Sequence, residues 1–319
     1  MNDYALELTN VTKRFGDFTA VDDLSVKIPR GSIYGFLGPN GAGKTTTIRM
    51  IVDIIRPTRG TLSVLGHASA LEVRERIGYL PEEKGLYKKM TAAAIVAYFG
   101  TLKGMGRKEA KQRAYELLEQ YGLKDFADAK VQDLSKGMGQ KVQVLSAIAH
   151  SPDFVILDEP FSGLDPVNQQ VLERLILDMA DGGRTIIFST HVMQHAERLC
   201  NQLLLIAKGR KIFDGSVAEA KRTIPRRVLV ETSSNIDALA RLDGVLGVSA
   251  INAEGTRHDD STAAQSWEIR IHERMNPQAI LEQCFATGIV LKRFDYSEPS
   301  LHDVFVALVG ADPAQEIRA

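Results

Sequence analysis

Apolar and polar positions recur at two different periods along this chain, and the changes of period mark its elements. Residues 33–37, 154–157 and 185–189 are short apolar runs bounded by turn residues. Runs of that length suit strands buried on both faces of a parallel sheet. Segments with helical spacing stand around them: 46–54, a long stretch over 91–123 broken at Gly104 and Gly106, a helix running to His150, 166–181, and 191–201. Ahead of these, 6–14 and 21–28 are mixed segments around a turn at Gly16-Asp17, an antiparallel start. The alternation predicts an α/β domain with a mainly parallel sheet.

The character changes after Ala220. Strand patterns cover 226–231, 247–253, 267–272 and 289–296, with helical spacing over 236–242 and 277–287. Strand–helix–strand–strand–helix–strand is the order of a ferredoxin-like α+β unit. Residues 257–266 are polar and read as a hairpin loop, and 300–309 close with a further short helix. The expected division is therefore 1–220 and 221–319, in keeping with the length of 319 residues.

Composition narrows the field. A formal net charge of −1 supplies no basic face, so no nucleic-acid partner is expected. The two cysteines, Cys200 and Cys284, have no paired spacing and are expected as inert thiols of a reducing compartment. No apolar run approaches the roughly 18 residues that span a bilayer, so the chain does not form a membrane channel by itself. Met1-Asn2-Asp3-Tyr4 has neither the basic nor the apolar region of a signal peptide. The expectation is a cytoplasmic protein.

The chemistry is concentrated in Gly38-Pro39-Asn40-Gly41-Ala42-Gly43-Lys44-Thr45, a complete glycine-rich phosphate loop between a strand and a helix. Backbone N–H groups converge on a nucleotide's charges only where side chains stay away, which Gly38, Gly41 and Gly43 allow. Thr46 continues the segment into the helix, whose N-terminus adds partial positive charge. Lys44 supplies a point charge to the outer phosphates and Thr45 a hydroxyl to Mg²⁺. ATP and Mg²⁺ are the expected ligands.

Asp158 and Glu159 end the run at 154–157. Neighbouring strand residues face opposite ways, so the two carboxylates need not share a task. Asp158 suits the Mg²⁺ shell, and Glu159 suits the orientation and polarisation of a water attacking the γ-phosphate. The plainer alternative is a polar strand end in solvent. His191, just past the run at 185–189, is placed to contact the γ-phosphate, although a lone histidine after a strand is more often structural. Leu134-Ser135-Lys136-Gly137-Met138-Gly139-Gln140-Lys141, taken alone, is a serine N-cap with glycines opening a helix.

In this order, the segments closely resemble the ATP-binding subunit of ABC transporters over residues 5–220, and 134–141 matches that family's signature motif. The resemblance implies an ABC cassette: an antiparallel lobe, a core sheet with helices, and a helical subdomain over about 91–150. It further implies that Phe15 stacks on adenine, that Ser135 and Gly137 touch the γ-phosphate, and that 162–165 is the D-loop. The signature serves a partner's nucleotide, so two subunits, identical or related, would close around two Mg-ATP and drive a separate integral membrane permease. The protein would then be peripheral on the cytoplasmic face of the cell membrane.

Two departures from the family pattern stand out. Glu82, in Gly78-Tyr79-Leu80-Pro81-Glu82, replaces the Q-loop glutamine; it can still ligate Mg²⁺ but adds negative charge, which predicts a higher Mg²⁺ requirement or slower turnover. Lys136 and Met138 replace a glycine and a glutamine, while Ser135 and Gly137 remain. Residues 83–87 either receive a helix of the permease or turn Leu86 and Tyr87 inward. Residues 298–305 resemble a C-terminal extension of exporter ATPases linked to drugs, sodium or polymers, so export is the expected direction. Pairing of the subunits, their regulation and small-molecule binding are all open roles for that extension. Two other classes stay open: a soluble ATPase of this superfamily acting on nucleic acid or ribosomes, and a nucleotide-binding regulator without turnover. The transported substrate leaves no mark on this chain.

Overall fold

Where the chain alternates without helical spacing it forms a hairpin, β1 (Tyr4–Phe15) with β2 (Phe18–Pro29), turning at Gly16 with φ 58°. The computed structural model describes residues 3–83, 85, 87–251 and 265–310. They divide into two compact units, within Met1–Val217 and Ala218–Asp312.

In the first unit, β3 (Ile33–Leu37) is buried at every position. The phosphate loop follows, then α1 (Lys44–Ile51), which opens and closes earlier than the expected 46–54; Asp53 turns the chain away at φ 58°. β4 (Arg59–Val64) returns to pair antiparallel with β1, making a three-stranded sheet of order β2-β1-β4. β5 (Ile77–Leu80) enters the core sheet.

The long helical stretch separates where its glycines stand. α2 (Ala92–Leu102) ends before Gly104, at φ 97°, and Gly106 caps α3 (Arg107–Gln120). α4 (Lys136–Ile148) carries Ser135 at its N-cap, the hydroxyl accepting from Met138 N. β6 (Phe154–Asp158) follows, again buried throughout. α5 (Pro166–Asp181) starts where Asp165 caps Asn168 N and Pro166 takes the first turn, needing no donor there. β7 (Thr185–Thr190), α6 (Met193–Leu199), β8 (Gln202–Ala207) and β9 (Arg210–Ser216) complete the unit. α6 is shorter than the expected 191–201 because His191 and Val192 remain in the turn leaving β7.

The core sheet has six strands in the order β5-β6-β7-β3-β8-β9, parallel except for β8 with β9. β4, β5, β8 and β9 were not among the sequence expectations, although residues 203–207 of β8 form a continuous apolar run. β4 is polar and largely exposed, and β5 spans only residues 77–80. One apolar cluster lies against helices α2 to α5, with Leu157, Ile186 and Phe188 from the sheet. A second joins the antiparallel sheet and α1 to Phe36, Ile156 and Ile187. The strands are apolar on both faces because both faces are covered.

α7 (Val217–Arg222) stands at the division. The second unit runs β10 (Arg226–Thr232), α8 (Asp237–Ala240), β11 (Val245–Ile251), β12 (Gln265–Ile271), α9 (Gln278–Thr287), β13 (Leu291–Ser297) and α10 (Leu301–Val309). Its strands pair antiparallel in the order β11-β12-β10-β13, the ferredoxin-like arrangement. Val228, Val230, Ile269 and Ile271 pack with Leu239, Ile280 and Cys284. Ser300 and Asp303 form a capping box that starts α10. The loop expected at 257–266 lies outside the described residues up to 264; Gln265 and Ser266 begin β12.

Candidate active site

The sheet order assembles the site. β7 lies between β3 and β6, so the phosphate loop after β3 and the carboxylates after β6 flank the end of β7. Ligands of open α/β sheets sit at the carboxyl ends of such strands.

The loop's glycines are required by close backbone approach. A Cβ on Gly38 would meet Ile206 O at 2.1 Å, and one on Gly43 would meet Ala20 O at 2.6 Å. The folded loop is pinned by Ala42 N donating to Pro39 O and by Gly209 N donating to Ala42 O. Asn40, Gly41, Lys44, Thr45 and Thr46 line a cavity of about 280 Å³, together with Glu82, Glu159 and Phe18.

Lys44 is 5% exposed, and its Nζ donates to Gly38 O at 2.7 Å and Pro39 O at 3.1 Å. The same Nζ lies 3.6 Å from Glu159 Oε1. Burial pushes the Lys44 ammonium down from its ordinary pKa, while Glu159 opposes that shift.

Asp158 is 1% exposed. Its Oδ1 accepts from Ser189 Oγ at 2.5 Å and from Thr45 Oγ1 at 3.3 Å, whereas Oδ2 is buried without a hydrogen bond. Burial raises the Asp158 carboxyl, the two hydroxyls lower it, and Glu82 and Glu159 raise it further. Glu159 points elsewhere. It adopts φ 47°, its N–H donates to Ser189 Oγ, and its carboxylate meets His191 Nδ1 at 3.0 and 3.1 Å. A carboxylate only accepts, so this contact places the imidazole proton on Nδ1.

Glu159, His191 and Lys44 are thus brought together, as are Thr45 and Asp158. Ser135 and Gly137 are not among the cavity's lining residues. They stand at the start of α4, where a Cβ on Gly137 would meet Asn168 Nδ2 at 2.5 Å. Phe15 is half exposed, with Lys13 Nζ 4.9 Å from its ring centre, while Phe18, its hairpin partner, lines the cavity. Phe18 and Ser189 went unread in the sequence. Phe18 stands beyond the turn that carries Phe15, and Ser189 was hidden inside a buried run. Tyr87 is exposed and packs edge-on to Tyr98; Lys84 and Leu86 lie outside the described residues.

A glycine-rich loop after one parallel strand and a carboxylate pair after another define a P-loop nucleoside triphosphatase. Residues 21–162 match the family described as ABC transporter, and residues 215–309 match the C-terminal domain of DrrA1-3-like ATP-binding proteins. The chain is 38% identical to the uncharacterized ABC transporter ATP-binding protein YhaQ of Bacillus subtilis, over 96% of this chain and 99% of that one. It is 33% identical to Nod factor export ATP-binding protein I of Cupriavidus metallidurans, over 96% and 98% respectively. A solved ATP-binding subunit of an ABC transporter superposes with a TM-score of 0.63 at 30% identity, covering 69% of this chain and 92% of that one. The protein belongs to the ATP-binding subunits of ABC transporters, an ATPase family that binds ATP.

Proposed function

We propose that this chain hydrolyses Mg-ATP as one of two facing cassettes and thereby drives a separate integral membrane permease, in the direction of export. The observation that supports this reading is the meeting of Lys44 and Glu159 at one cavity, with His191 held on Glu159, while Ser135 stands at the start of α4 and does not line that cavity. A signature remote from its own phosphate loop is of use to a neighbour's nucleotide.

Each residue then has a definable task. Backbone N–H groups within 40–46 and Lys44 hold the phosphates, and Lys44 exchanges its carbonyl partners for phosphate oxygens. Thr45 and Asp158 fit a hard divalent cation, being oxygen donors of which Asp158 Oδ2 is buried without a partner. Mg²⁺ relies on few protein carboxylates and on substrate phosphates. When bound, that ion neutralises phosphate charge and polarises the phosphoryl group. Glu159 accepts the proton of the attacking water, and His191, held by Glu159 through Nδ1, donates to the γ-phosphate from Nε2 when both ring nitrogens carry protons. Phe15 or Phe18 supplies the aromatic face for adenine.

Closure of the pair around ATP and release after hydrolysis form a ligand-biased two-state element that can move a partner. No helix among the described residues is long and apolar enough to cross a membrane; the translocation path is proposed to lie in a separate permease. Export is favoured by the printed name of the Nod factor export relative and by the resemblance of residues 298–305 to exporter ATPases. On this reading the protein is peripheral, on the cytoplasmic face of the membrane.

The test uses Glu159→Gln. Sedimentation velocity should show a monomer without nucleotide and a stable dimer with Mg-ATP, and hydrolysis should be very slow. A monomer at saturating ATP, or normal turnover, would reject the assignment. Wild-type protein should also co-purify with a polytopic membrane protein.

A further inference from the structure

Glu159 carries a left-handed backbone, φ 47°, which a non-glycine residue with a long side chain adopts at a cost. Such conformations persist where the surroundings over-determine them. Three elements do so here. From β7, Ser189 Oγ accepts the Glu159 N–H at 2.9 Å in a buried contact. From α4, Gln140 Nε2 donates to the carbonyl of Pro160, the next residue, at 3.1 Å. From α6, the His195 ring stacks on Phe161 with centroids 4.1 Å apart and planes at 13°.

Gln140 and His195 are buried polar side chains, 5% and 6% exposed. Neither is fully satisfied: Gln140 Oε1 and His195 Nδ1 have no hydrogen bond, though that Nδ1 lies 3.5 Å from Glu173 Oε1. An unsatisfied buried polar atom destabilises the fold, and packing alone would be served as well by an apolar side chain. What both residues grip is the turn that begins at Glu159, closed by Ser162 N donating to Glu159 O. The ring of Phe161 also packs edge-on against Phe188, with centroids 5.9 Å apart.

The grip also reaches His191. The segments after β6 and β7 are joined at their polar ends by Glu159 with His191 and at their apolar ends by Phe161 with His195. Two contacts between two short segments fix an angle as well as a distance. We propose that Gln140 and His195 are positioning residues for Glu159, holding its turn so that the carboxylate stays aimed at the cavity. This rests on Glu159 as the base. Gln140 belongs to the helix capped by Ser135, so the signature helix and the base of one chain are mechanically joined.

The test is steady-state ATPase at saturating Mg-ATP, with ATP affinity and thermal unfolding measured on the same samples. Gln140→Met and His195→Ala should each lower kcat by about ten- to a hundredfold while ATP affinity stays within about twofold. His195→Phe, which keeps a ring on Phe161, should retain kcat within about threefold. On a Glu159→Gln background neither substitution should lower the residual rate further, since a residue acting through Glu159 has nothing left to position. Wild-type kcat in Gln140→Met and His195→Ala, beside an inactive Glu159→Gln, overturns this proposal alone. So does a loss of ATP affinity equal to the loss of kcat. Normal turnover by Glu159→Gln overturns the base assignment, and this proposal with it.

Discussion

Lys44 Nζ lies 3.6 Å from Glu159 Oε1, so the cation of the phosphate loop and the carboxylate after β6 form one buried ion pair. Such a pair is weak evidence for stability, because both charges lose water on burial, but removing one member strands the other. On the proposed function this pairing would tie nucleotide capture to the base, since a phosphate drawing Lys44 away would leave Glu159 free to accept a proton.

Lys44→Met, which keeps most of the stem and removes the charge, should therefore raise the Kd for ATP at least about tenfold. A fluorescent-nucleotide titration measures this. Undiminished affinity would remove Lys44 from the phosphate site.

Gly38→Ala should destabilise the fold by ~2–4 kcal/mol, because the new methyl would meet Ile206 O at 2.1 Å and the backbone must shift. Gly41→Ala faces open space and bears only the strain of φ 77°, ~1–2 kcal/mol. Denaturant unfolding of both variants checks the order; equal losses would contradict the packing.

Glu82 lines the cavity with Glu159 and helps to raise Asp158, so its charge is felt where the phosphates would lie. Glu82→Gln should lower the Mg²⁺ concentration needed for half-maximal ATPase or raise turnover. Mg²⁺ titrations that superpose for the two proteins would show the carboxylate to be without effect.

Phe18→Ala should weaken ATP binding at least as much as Phe15→Ala, since Phe18 lines the cavity. A stacked base is worth ~1–3 kcal/mol, and calorimetry with ATP resolves that range. A loss confined to Phe15→Ala would return the adenine contact to the residue expected from the sequence.

His150 donates from Nε2 to Ile77 O, and burial, reinforced by Lys103, pushes its pKa down to about 4. The unfolded chain takes up this proton near pH 6.5, before the folded protein does. Stability is therefore fully present above about pH 6.5 and falls as the pH drops toward 4, by roughly 1–2 kcal/mol after allowance for partial solvent screening. His150→Gln should flatten stability across that window; an unchanged slope in urea unfolding at pH 7 and pH 5 would remove His150 as its source.

Much of the architecture was legible along the chain. The buried strands β3, β6 and β7 announced themselves as apolar runs, and α5 by Asp165 and Pro166 at its start. β8, equally buried, and the polar β4 and β9 were not separated from their surroundings. Asp158 and Glu159 could be found because they end a strand. Gln140 and His195 could not, since their role depends on contacts with Pro160 and Phe161 in other elements.

By itself the sequence determined the phosphate loop, the carboxylate pair and the two-part order of elements, because each is written in adjacent residues and in local spacing. The tertiary structure alone decided that β7 runs between β3 and β6, which brings Ser189 onto Asp158 and His191 onto Glu159. It alone decided the left-handed turn at Glu159 and the place of Phe18 at the cavity. Strand order and side-chain convergence are set by packing between segments far apart in the chain, and no local pattern encodes them.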